Sequence, residues 1–145
     1  APEATLWRRK MPNLSGRCLC GNITFSGHSE IARTVNCHCS NCRAITGAAF
    51  ATNVVVKRDA IKITGTPKMF VHTADSGGEI ETYFCPDCGS QLFGRNSAST
   101  NSLSIRAGVL DQTCLVKPSI NIFLDSKIES TPVDPTLKGC AKAPE

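Results

Sequence analysis

Residues 16–25, GRCLCGNITF, decide how the rest of the chain is read. They set a β-prone run, a turn at Gly21 and Asn22, and a second β-prone run side by side, so Cys18 and Cys20 fall near the tip of a hairpin. A later stretch has the same construction. The turn Asp75-Ser76-Gly77-Gly78 joins strand candidates 68–73 and 79–84, and the second delivers Tyr83 and Phe84 straight into Cys85-Pro86-Asp87-Cys88. Two hairpins that each end in a pair of cysteines predict a domain organised around whatever those cysteines hold.

Working outward, residues 31–36 form a short strand candidate that leads into Cys37-His38-Cys39-Ser40-Asn41-Cys42-Arg43. Residues 40–46 offer one or two helical turns, with Ser40 as N-cap and Gly47 as the stop. The β-branched runs 50–57, FATNVVVK, and 61–64 read as strands, and 91–94, 102–109 and 119–124 complete the series, with Pro118 and Pro132 as breakers. The fold class is therefore mainly β, built of small antiparallel sheets and hairpins, without a repeat of fixed period. Residues 96–102 read as an exposed loop. The expected division is a flexible leader over 1–13, which holds Trp7, Arg8, Arg9 and Lys10 and has Met11 as a candidate start, one metal-binding domain over 14–131, and a mobile C-terminal tail over 132–145.

With 145 residues, 41% of them hydrophobic and 19% charged, the chain suits a single core and excludes disordered and fibrous classes. The net charge of +4 comes from scattered Lys and Arg with no basic stripe interleaved with aromatics, which argues against nucleic acid as a partner. No apolar run approaches the roughly 18 to 20 residues of a membrane span, and the first residues lack the apolar core of a signal peptide. The expectation is a soluble, intracellular, cytoplasmic protein whose partner is a small molecule.

Nine cysteines admit either a disulfide framework or metal ligation, and spacing separates the two. Disulfide scaffolds spread cysteines to close loops; zinc sites collect them on tight turns, because two thiolates on one turn reach one ion. Cys18, Cys20, Cys85 and Cys88 supply the four tetrahedral corners of a closed structural zinc site that staples the start of the domain to its middle. Cys37, Cys39 and Cys42 leave a second tetrahedral zinc one ligand short, the incompleteness of a catalytic site whose fourth position takes water or substrate. His38 could fill that position, but in extended chain its side chain points away from Cys37 and Cys39, which suits a contact behind the ligands or with substrate. A second structural site completed by Cys114, Cys140 or His72 is the alternative. Three thiolates form a soft, negative site that favours a thiol as fourth ligand, and Arg43 could steady an anionic substrate. His28 and His72 read as ordinary hydrogen-bonded or surface residues, Cys114 as a small buried apolar residue and Cys140 as an exposed thiol.

The order GRCLCGNITF, CHCSNCR, YFCPDCGSQLF, SIRAGVLD resembles the glutathione-dependent formaldehyde-activating enzyme family, which also includes centromere protein V, over residues 16–127. The resemblance implies a tent-like fold of small antiparallel sheets around two zinc ions, structural at Cys18, Cys20, Cys85 and Cys88 and catalytic at Cys37, Cys39 and Cys42. It also implies a carbon-sulfur lyase that adds a thiol, glutathione as co-substrate, to formaldehyde, giving S-hydroxymethylglutathione. The non-enzymatic branch implies instead a zinc-stapled module that binds protein or nucleic acid, and recruitment to another biosynthetic reaction is a further alternative. The chain departs from the family pattern after Pro118, where many members carry a histidine and later a tryptophan and this sequence has Asn121 and Ile128-Glu129-Ser130.

Overall fold

A computed structural model describes residues 11–144. In chain order its strands are β1 (Asn13–Arg17), β2 (Thr24–His28), β3 (Arg33–Cys37), β4 (Ala51–Lys57), β5 (Ile61–Thr64) and β6 (Lys68–Thr73). They continue with β7 (Glu79–Phe84), β8 (Gln91–Asn96), β9 (Ser102–Arg106), β10 (Ile120–Ile122) and β11 (Lys138–Gly139), and α1 (Ser40–Thr46) lies between β3 and β4. Strands β1, β2 and β5 make a three-stranded antiparallel sheet, and the other eight follow the order β11-β10-β3-β4-β9-β8-β7-β6 in a second. The mainly β reading holds.

The two sheets enclose the core. Leu14, Phe25 and Ile61 from the smaller sheet, with Ile23 from the turn before β2, meet Val54, Val56, Leu92, Phe93, Leu103 and Ile105 from the larger, and the rings of Phe25 and Phe93 cross edge to face at 5.2 Å. Gly16 is needed at this seam: a Cβ there would stand 2.0 Å from the Val109 carbonyl oxygen and 2.4 Å from the Phe25 ring. Because side chains alternate along a strand, the same registers send a second set to the opposite face of the larger sheet. Cys37 lies opposite Ala51, Asn53 opposite Arg106, Thr82 opposite Gly94 and Phe70 opposite Thr82, so these residues share the face turned away from Val54 and Ile105.

Several expectations change. Cys39, not Ser40, caps α1, its sulfur accepting from the Cys42 N–H at 3.2 Å, while Gly47 ends the helix in the left-handed region as expected. Strand β9 stops at Arg106 because 107–109 coil into a 3-10 turn. Residues 1–10 of the expected leader lie outside the described residues, and Asn13, its last residue, already begins β1. The stretch read as a mobile tail is docked over part of its length: β11 pairs in parallel with β10, the Cys140 N–H donates to Asn121, and the Phe123 N–H donates to Lys142. Cys140 is consequently buried and Cys114 exposed, the reverse of the sequence reading. Among the described residues no helix is long and apolar enough to cross a membrane.

Candidate metal centres

The first centre joins two turns. In one, the Gly21 N–H donates to Cys18 O and the Cys18 N–H to Ile23 O; in the other, the Gly89 N–H donates to Cys85 O and the Cys85 N–H to Ser90 O. Gly21 and Gly89 adopt φ of 81° and 76°, which lets each turn close without a Cβ clash. Asn22 donates to Asp87 at 2.9 Å, and the Ser90 hydroxyl accepts from the Leu19 N–H at 3.0 Å, so the turns are held to each other by more than their sulfurs. The four sulfurs gather within 4.8 Å of one another, with Cys18 to Cys20 at 3.6 Å and Cys20 to Cys85 at 3.7 Å. A tetrahedron with 2.3 Å zinc–sulfur bonds has edges of about 3.8 Å, so the quartet fits such an ion. Cys18 and Cys85 are buried completely, and the Ser90 hydroxyl, 3.2 Å from Cys88, holds that thiol down to about 5. A thiol that ionises readily is one ready to bind metal.

The second centre comes from one short segment. Cys37 ends β3 and is buried, Cys39 caps α1, and Cys42 sits in its first turn, both partly exposed. Their sulfurs also gather within 4.8 Å, Cys42 lying 3.4 Å from Cys37. Hydrogen bonds from the Cys37 and Cys42 thiols, with the Cys42 and Asn41 N–H groups, push Cys39 down to about 2, while Cys37, donating to Cys39, is pushed up to about 11 and Cys42 is raised as well. Thiolates this close repel one another, so ionising all three together is costly until a cation is added. The all-sulfur donor set fits a soft divalent ion such as zinc. Among the described residues neither Cys114, Cys140 nor His72 joins the group, which offers three sulfurs.

His38 does not join the three sulfurs, and its exposure is 0%. Its ring packs on Phe50 at 4.7 Å, and burial lowers its pKa, with the neighbouring Asn121 acting in the opposite direction. Asn121 in turn accepts from Asn36 at 3.2 Å. Arg43 is half-buried on α1 with its Nε unpaired. A cleft of about 520 Å³ runs between α1 (Asn41, Ala44, Ile45) and Phe70, His72, Thr73, Phe84 and Gln91. No cysteine lines it; α1, which carries Cys42, is the wall the cleft and the centre share. The sequence shows Arg106 only as part of the stretch SIRAGVLD, with no role attached to it. The structure brings it, 9% exposed, to the face of Cys37, where it donates to Asn53 at 2.7 Å. Nothing local marks that position, since the partners come from β3 and β4, far along the chain.

A family model described as glutathione-dependent formaldehyde-activating enzyme matches residues 13–126. Relatives carrying that name provisionally include one from Phaeosphaeria nodorum, 35% identical over 77% of this chain and 60% of the relative, and one from Penicillium rubens, 35% identical over 54% and 42%. The chain thus spans about half the length of these relatives. A solved protein from Rhodobacter sphaeroides shares the fold, with a TM-score of 0.52 and 18% identity over 72% of this chain and 96% of that one.

Proposed function

The chain belongs to the glutathione-dependent formaldehyde-activating enzyme family, and from that premise we propose a zinc-dependent enzyme of the carbon-sulfur lyase type that makes or breaks a thiol adduct of formaldehyde or another small carbonyl compound. The thiol, glutathione by the family's name, binds beside Cys37, Cys39 and Cys42. The observation that supports this reading is the contrast between the centres. Four sulfurs close the first, whereas three form the second and two of those are partly exposed.

The chemistry zinc supplies when bound is stabilisation of an ionised thiol at neutral pH. The chain's own residues fix the geometry. Cys37 is held by the pairing of β3 with β4 and β10, and Cys39 by the hydrogen bond from the Cys42 N–H. The thiolate sulfur forms a bond to the carbonyl carbon, the carbonyl π pair moves to oxygen, and that oxygen takes a proton from solvent; the lyase direction reverses each step. Arg43, next to Cys42, steadies a carboxylate of the thiol, and the cleft along α1 receives the rest of the adduct.

Exchange of 13C-formaldehyde with glutathione, followed by NMR, tests the reading. The wild type accelerates exchange and Cys39→Ser does not. Equal rates with wild type, Cys39→Ser and no protein would overturn it. The interaction-module reading draws on one observation, the outer strand β6 with Met69, Phe70 and Val71 exposed, and it gains ground in that second case.

A further inference from the structure

Arg106 is a buried cation with no carboxylate to answer it. Its exposure is 9%, its Nη1 donates to the neutral Asn53 at 2.7 Å, its Nε has no partner, and among the described residues no Asp or Glu pairs with it. Burying an uncompensated guanidinium is costly, so a structure that keeps one there supplies an anion from somewhere. The registers say where. Arg106 lies opposite Asn53 on β4, Asn53 lies opposite Val35 on β3, and two residues along the same face Ala51 lies opposite Cys37. The side chain therefore shares a face with the three-cysteine centre. Burial holds the Arg106 guanidinium below its ordinary range, and the Cys42, Cys37 and Cys39 sulfurs, when ionised, act in the opposite direction.

We propose that Arg106 is the countercharge of the Cys37, Cys39, Cys42 centre and a positioning residue that lets this centre accept a fourth, thiolate ligand. Three thiolates and a divalent ion carry a net charge of −1, and Arg106 brings the assembly to zero. An incoming thiol that leaves its proton with the buffer then raises the total to −1 rather than −2. Around the buried Arg106 and Cys37, where charges are screened less than in water, that difference acts on the thiolate's affinity. The inference rests on the thiol-binding reading above and adds a residue to it.

The test uses protein loaded with cobalt(II), whose sulfur-to-metal absorption reports thiolate ligation directly, titrated with 2-mercaptoethanol, which has no carboxylate for Arg106 to grip. Wild type and Arg106→Lys gain absorption with the thiol. Arg106→Met loads the same cobalt but binds the thiol at least about tenfold more weakly. Should Arg106→Met fail to fold by circular dichroism, Asn53→Asp replaces it, because a carboxylate beside Arg106 cancels its charge in place and weakens thiol binding in the same sense. Unchanged thiol affinity in the folded charge-cancelled variant overturns the proposal, as does a loss seen with glutathione but not with 2-mercaptoethanol, which would make Arg106 a carboxylate contact. Failure of the wild type itself to bind any thiol overturns the thiol-binding reading instead.

Discussion

The two cysteine centres use the same chemistry and differ in where their ligands come from. Cys18 and Cys20 belong to the turn after β1 in the smaller sheet, Cys85 and Cys88 to the turn after β7 in the larger, so the closed centre joins the two layers that enclose the core. Cys37, Cys39 and Cys42 fall within one short segment, and their centre joins nothing that the pairing of β3 with β4 and β10 does not already hold. On the proposed reading, ligand count and sequence separation divide the work: the distant quartet would stabilise, and the local triplet would stay incomplete and bind.

That comparison is broken most severely at Cys85, which is fully buried. Structural zinc contributes on the order of 10 to 16 kcal/mol in small peptides, as much as a whole domain's stability of about 5 to 15 kcal/mol. Cys85→Ser is expected to lose cooperative thermal unfolding by circular dichroism; a variant that melts like wild type would remove the staple from the account. Cys39→Ser comes next. It is expected to remove one metal per chain and thiol exchange while shifting the melting midpoint by no more than about 5 °C. Substitution of the supporting residues sharpens the picture further. Ser90→Ala removes the acceptor of the Leu19 N–H and the partner of Cys88, so a loss of about 1 to 2 kcal/mol and faster release of one metal to a chelator are expected, with the second metal's release unchanged. Asn22→Ala breaks the exposed link to Asp87 and should cost no more than about 1 kcal/mol in denaturant unfolding.

The hairpins and the spacing of the seven clustered cysteines were legible because both are local: a turn needs its Gly or Asn at the tip, and two thiolates on one turn announce themselves by one or two intervening residues. The strand limits of β5, β6 and β7 coincide with the reading of 61–64, 68–73 and 79–84. What escaped depends on pairing between distant segments. The parallel addition of β11 to β10 buries Cys140 in a stretch rich in proline, and a seven-residue helix capped by a cysteine sulfur leaves Ser40 without the role its type suggests. His38 shows the same limit: its complete burial, with its ring against Phe50, needed β10 laid beside β3. Arg106 escaped for the same reason.

The most direct test is metal content per chain by elemental analysis, measured together with circular dichroism before and after a mild chelator, with and without glutathione. Two zinc ions per chain, one removed by the chelator without loss of fold and protected by the thiol, are predicted. A single tightly held ion indifferent to the thiol, or two ions that leave together as the fold is lost, would contradict the division between a closed centre and an open one.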